Sequence, residues 1–145
     1  MPTPVRGREF ATGVAMVEPD AALDDLARRV IGAAIEVHST LGPGFLEGVY
    51  EEALAVEMRL RGIAFTRQAV VELGYKGERV GETRLDFLVE RQLVLELKAV
   101  EGILPIHLAQ VRSYLRATGA RLGLLINFNT LALKAGGIKR IVLTS

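Results

Sequence analysis

Residues 93–99 read Leu93-Val94-Leu95-Glu96-Leu97-Lys98-Ala99, and they constrain the fold more than any other stretch of the chain. A run this short and this apolar reads as a buried strand. It nevertheless carries an acid and a base two residues apart, and desolvating an unpaired carboxylate or ammonium is costly. Alternation sends Leu93, Leu95, Leu97 and Ala99 to one face, and Val94, Glu96 and Lys98 to the other. Either the charged face looks at water, or the two groups are there for chemistry.

The neighbouring sequence sharpens that choice. Upstream lies T-R-L-D-F-L-V-E, in which Asp86 is the only acid between Glu82 and Glu90. A three-residue hairpin loop at Glu90-Arg91-Gln92 pairs Val89 with Leu93. Counting back along that ladder sets Asp86 opposite Glu96, on the face that carries Lys98. Two facing carboxylates repel unless something positive lies between them. Mg²⁺ or Mn²⁺ is the natural candidate, since hard divalent cations take oxygen ligands and keep several waters. Lys98 beside such an ion would orient or help deprotonate an attacking water, or stabilise charge developing on a phosphate. The bland reading of the same string is a solvated face of an amphipathic strand.

Periodicity places these residues within one domain. Residues 1–20 show no sustained period and read as a flexible arm, followed by a domain over 21–145. Leu23, Leu26, Ala27, Val30, Ala34, Val37 and Leu41 follow helical spacing, with Asp20 as N-cap and an end near Ser39, before Gly42-Pro43-Gly44. A second helix is expected from Leu46 to Arg61, with Tyr50, Ala53, Leu54 and Met58 as its apolar stripe. Strands are expected near 63–66, 69–75, 80–89 and 93–99. A third helix follows over Pro105–Thr118, then strands over Leu122–Phe128 and Ile138–Leu143. The order predicts an α/β fold, a single domain with a mixed central β-sheet flanked by helices. Its one crossover helix implies one parallel, right-handed βαβ step.

Two helical segments add candidates. In the third helix Leu108, Val111 and Leu115 form a core stripe, while His107, Gln110 and Tyr114 line another face. Gln110 and Tyr114 suit hydrogen bonding to a ligand or phosphate, and Arg112 and Arg116 form a small basic ridge for a substrate backbone. Simple packing of Tyr114 and solvation of Gln110 is the alternative. Glu47 begins the second helix, where the dipole favours a carboxylate; it is either a capping group or a third acid for the metal. His38 reads as a packed, hydrogen-bonded side chain.

Composition excludes several classes. The 145 residues are 50% hydrophobic and 24% charged, which suits a globular domain. The absence of cysteine removes disulfides and thiolate metal sites, and two histidines make a structural zinc improbable. No apolar run approaches a membrane span and no secretory signal stands at the N-terminus, so a cytoplasmic protein without membrane association is expected. Net charge is only +1, yet all 17 acids lie at or before Glu101 and six bases follow it. That asymmetry permits an anionic partner such as nucleic acid, although solvated Lys and Arg at element ends would account for it equally well.

Gly44-Phe45-Leu46-Glu47-Gly48-Val49-Tyr50 is a G-x-x-E-x-x-Y string. With R-L-D-F-L-V, L-E-L-K-A-V, H-L-A-Q-V-R-S-Y-L and G-L-L-I-N-F, it resembles the bacterial GxxExxY proteins of the PD-(D/E)xK nuclease-like superfamily. The resemblance runs from about Leu26 to Leu143. It implies a restriction-endonuclease-like core and a Mg²⁺- or Mn²⁺-dependent nuclease acting on nucleic acid, with DNA the expected substrate and a homodimer left open. It implies Asp86, Glu96 and Lys98 as the catalytic set, with Asp86, Glu96 and the Leu97 backbone carbonyl as metal ligands. Glu47 would match the supporting helical acid, Gln110 and Tyr114 the following helix's Gln-x-x-x-Tyr, and Tyr50 the motif's tyrosine. Leu85 stands where the motif name has proline, a position at which many members vary. Because the superfamily includes inactive members, a non-catalytic nucleic-acid-binding or interaction module is the alternative.

Overall fold

The computed structural model describes residues 20–143; apart from Asp20, the expected N-terminal arm lies outside the described residues. Helix α1 spans Ala21–Leu41 and is set by Asp20, whose carboxylate accepts the Leu23 N–H at 2.8 Å. That bond pairs a first-turn donor that the helix leaves open, and it lowers the Asp20 pKa. The apolar stripe from Leu23 to Val37 is buried, and the helix runs two residues past Ser39 before Gly42 turns the chain. Helix α2 covers Glu47–Leu60, burying Tyr50, Leu54, Ala55 and Met58.

The sheet elements are β1 (Phe65–Tyr75), β2 (Glu78–Val89), β3 (Leu93–Lys98), β4 (Leu122–Asn127) and β5 (Ile138–Ile141), with α3 (Pro105–Thr118) between β3 and β4. The five strands lie side by side in chain order. Only β3 and β4 are parallel, joined by the expected single crossover helix. The hairpin register also agrees, with Val89 opposite Leu93. Two expectations change. Segments 63–66 and 69–75 form the single strand β1, because pairing resumes on either side of Gln68 in one register, while Ile63 packs into the core instead. The last strand is shorter than read and stops at Ile141.

Two apolar layers enclose the sheet. Leu93, Leu95, Leu97, Leu122, Leu124 and Ile126 pack against α1 and α2. On the other side Val94 and Leu125 pack against Val111, Tyr114 and Leu115 of α3. Each such buried side chain contributes roughly 1.5–3 kcal/mol relative to exposure, which explains why β3 and β4 are apolar on both faces. Among the described residues no helix is long and apolar enough to cross a membrane.

At Gly123 α3 packs tightly on the sheet: a Cβ there would lie 2.5 Å from Val111 Cγ1. Gly123→Ala is therefore expected to destabilise the fold by about 1–3 kcal/mol through overpacking. Urea unfolding midpoints measure the loss, and adding Val111→Ala should recover part of it. A Gly123→Ala midpoint equal to wild type would sink this account of α3 packing.

Candidate active site

The β2–β3 ladder carries backbone pairing from Val89↔Leu93 to Phe87↔Leu95 and then stops. The next pair in register would be Asp86 and Glu96, and here side chains replace the backbone. Asp86 Oδ2 accepts the Leu97 N–H at 2.8 Å, while the Asp86 N–H donates to Glu96 Oε2 at 2.8 Å. Each carboxylate thus pairs a buried donor on the opposing strand, as such donors require. The sequence expectation of facing carboxylates is met in register, but the repulsion is managed first by backbone N–H groups. Each bond uses one oxygen, so Asp86 Oδ1 and Glu96 Oε1 take no part in these two bonds.

Burial makes this pair unusual. Glu96 is only 6% exposed. Desolvation, followed by the Asp86 charge, pushes its pKa up to about 8. Desolvation likewise raises Asp86, against the Leu97 N–H that lowers it. Glu47, at the start of α2, is raised by partial desolvation and then by the charge of Asp86. Three carboxyls whose ionisation is disfavoured together create a demand for positive charge. Among the described residues, however, no three His, Cys, Asp or Glu side chains gather as a metal-ligand set. The Glu47 charge acts on both carboxyls of the pair from the start of α2. Two carboxylates and the Leu97 carbonyl at the end of β3 fit a hard cation that keeps waters.

Tyr50 positions α2 rather than facing the pair. Its side chain is fully buried. Its hydroxyl donates to the Gly42 carbonyl at 2.6 Å and accepts the Phe45 N–H at 3.1 Å. Its ring stacks on Phe128 with centroids 4.6 Å apart. Gly44, at φ +108°, supplies a backbone conformation closed to most side chains, so the turn into α2 is fixed from both sides.

Lys98 ends β3 and lines a cleft of about 560 Å³ between the β1–β2 hairpin and α3. Gln110, Tyr114 and His107 line the same cleft, so the helical face read from the sequence does meet the lysine. Tyr114 both packs in the α3 core and borders the cleft, while Gln110 is exposed. The His107 ring has a second task, its Nδ1 accepting the Leu104 N–H at 2.9 Å at the start of α3. Arg112 and Arg116 stand apart from this cleft: Arg116 lines a neighbouring one with Glu72, Leu73 and Ser113, and Arg112 is half-buried.

Several contributors were not read from the sequence. Glu51, one turn after Glu47, holds Arg67 at 2.9 Å and Gln68 at 3.1 Å, and its charge reaches Asp86. Helical spacing from Glu47 was the signal available for it. Asn127 is buried and clamps the chain beyond Lys98, donating to the Val100 carbonyl at 2.9 Å and accepting the Val100 N–H at 3.1 Å. A lone Asn closing an apolar strand was its signal. The C-terminal basic excess is partly neutralised in space, since Arg121 pairs with Asp20 and Arg140 with Asp24. Arg121 precedes β4 at the end of the sheet opposite Lys98, so it does not add to the cleft's charge. His38 is hydrogen-bonded to the Thr130 carbonyl at 2.8 Å, as its reading as a packed residue required.

A family model described as the PD-(D/E)XK nuclease superfamily matches residues 24–141. No curated protein and no solved structure matches the chain.

The raised Glu96 pKa fixes a pH dependence. Between about 4.5 and about 8 the folded protein holds a proton that the unfolded chain has released, so stability falls as pH rises through that window. The slope should approach about 1.4 kcal/mol per pH unit per proton. Glu96→Gln keeps an acceptor for the Asp86 N–H and removes the titration, so its stability should exceed wild type at pH 8 and vary less with pH. Urea midpoints at pH 5, 6.5 and 8 test this; parallel curves for the two proteins would contradict it.

Proposed function

Because the chain belongs to the PD-(D/E)XK nuclease superfamily, we propose that it hydrolyses phosphodiester bonds of nucleic acid, DNA being the expected substrate, with Mg²⁺ or Mn²⁺. Nucleases of this superfamily generally use divalent metals. The single observation that supports the reading most is the pair of half-buried Asp86 and buried Glu96, held in a break between strands and followed two residues later by Lys98 at an open cleft.

Asp86, Glu96 and the Leu97 carbonyl would hold the cation, with the Glu47 charge adding to the attraction. When bound, the ion supplies positive charge to the phosphate and acidity to water. Burial disfavours the ionised form of Glu96, which would become a ligand for the ion on losing its proton. Lys98 then orients water for attack or holds charge that develops on the phosphate oxygens. Gln110 and Tyr114 hydrogen-bond the phosphate or a neighbouring one, and Arg112 and Arg116 attract the flanking backbone. A second reading, a binding module that keeps the fold without turnover, is favoured by one observation: backbone N–H groups already satisfy one oxygen of each carboxylate.

Nicking of supercoiled and linear DNA in Mg²⁺ separates the two. Wild type is expected to cut, with Lys98→Ala and Glu96→Gln slower by roughly 100-fold or more. Salt-sensitive DNA binding without turnover by clean wild type would favour the module. Cleavage by both variants at the wild-type rate would remove these residues from the reaction.

A further inference from the structure

Among the described residues, four that are not glycine have positive φ: Gln68, Lys76, Glu90 and Arg91. Lys76 lies between β1 and β2, and Glu90 and Arg91 lie between β2 and β3, where tight turns use such conformations. Gln68 lies within β1, at φ +48°. A left-handed, non-glycine residue inside a strand is strained, and strain of this kind persists where the surroundings over-determine it.

Those surroundings are the candidate site. Pairing of β1 with β2 passes from Arg67↔Phe87 to Ala69↔Leu85, leaving Gln68 abreast of Asp86. The apolar neighbours change sides at the same point: Phe65 and Phe87 pack with α1 and α2, whereas Ala69 and Leu85 pack with α3. The Gln68 amide donates to both oxygens of Glu51 at 3.1 Å. From its place beside Asp86 it favours that carboxyl's ionised form, against the effect of burial. Arg67, the preceding residue, forks onto Glu51 and Glu52 at 2.9 Å each, tying the same stretch of β1 to α2.

We propose that Gln68 is a positioning residue for Asp86. Its left-handed backbone turns a neutral amide donor between two carboxylates, Glu51 and Asp86, that would otherwise face one another. The donor holds Glu51 back towards α2 and keeps the Asp86 carboxylate seated on the Leu97 N–H. A regular strand conformation would relieve the strain, but the amide would then leave this position. The inference rests on the proposed role of Asp86 in phosphodiester hydrolysis, while its structural part stands on the Leu97 bond alone.

Two variants separate the amide from the strain. Gln68→Gly removes both, and glycine accepts positive φ without cost. Gln68→Glu keeps the shape and loses the donor. Gln68→Gly is expected to melt no lower than wild type, yet to exchange the Leu97 amide proton at least about 10-fold faster, with Leu95 unchanged. Gln68→Glu should show the same faster exchange together with a lower melting temperature. In Mg²⁺-dependent cleavage both variants should lose about 10-fold or more in kcat with little change in KM, the pattern of a displaced ligand rather than of lost substrate binding. Leu97 exchange at the wild-type rate in Gln68→Gly would overturn the proposal, whatever the activity. Failure of wild type to cut, with Leu97 exchange accelerated in both variants, would overturn the nuclease reading and leave the positioning role intact.

Discussion

Two hydrogen bonds govern the rest of this site: Leu97 N–H to Asp86, and Asp86 N–H to Glu96. A buried N–H must be paired, and in an antiparallel hairpin the opposing backbone ordinarily does it. Here carboxylates do it, so β2 and β3 stop pairing while their donors remain satisfied. The exchange brings two acids into a gap bordered by buried leucines, which is what disfavours their ionisation. A solvated strand face would leave both groups near their ordinary pKa values, so the bland reading of L-V-L-E-L-K-A does not describe this geometry.

Holding such a pair costs stability at neutral pH, and the layers around it supply the offset. β3 and β4 are buried on both faces, and the parallel step between them continues to Lys98↔Asn127, beyond the point where β2 has left. The strand that carries Glu96 and Lys98 is thus secured on its β4 side while its β2 side is given over to the carboxylates. Asn127 extends that support, because its side-chain amide holds the Val100 backbone just past the lysine.

The features legible in the sequence are those with a strict period or a short loop. Alternation in 93–99 and the hairpin at 90–92 were enough to predict the Val89↔Leu93 register, and the helical spacing of 105–118 set Gln110 and Tyr114 on the one face that lines the cleft with Lys98. The carboxylate-to-backbone bonds were not legible, since a ladder count says which residues face one another but not when side chains replace main chain. Gln68 was hidden for a similar reason. Its backbone conformation belongs to no local turn signal and arises only where α2, β1 and Asp86 come together. Charge asymmetry along the chain misled in part, because Asp20 and Asp24, distant in sequence, fold against Arg121 and Arg140.

The G-x-x-E-x-x-Y string gains a physical meaning from these contacts. Residues three apart lie only about 60° apart round a helix, so Tyr50 enters the core while Glu47, in the exposed first turn, sits at the edge of that same side, where its charge meets that of Asp86. Tyr50 fixes where α2 begins, through Gly42 and Phe45, and its ring stacks on Phe128. Phe128 in turn donates its N–H to the Lys98 carbonyl at 2.9 Å. The helix that brings Glu47 and the strand that brings Lys98 are therefore anchored on one residue. The motif's tyrosine accordingly serves the site from within the core, by setting the spacing between an acid and a lysine that lie on different elements.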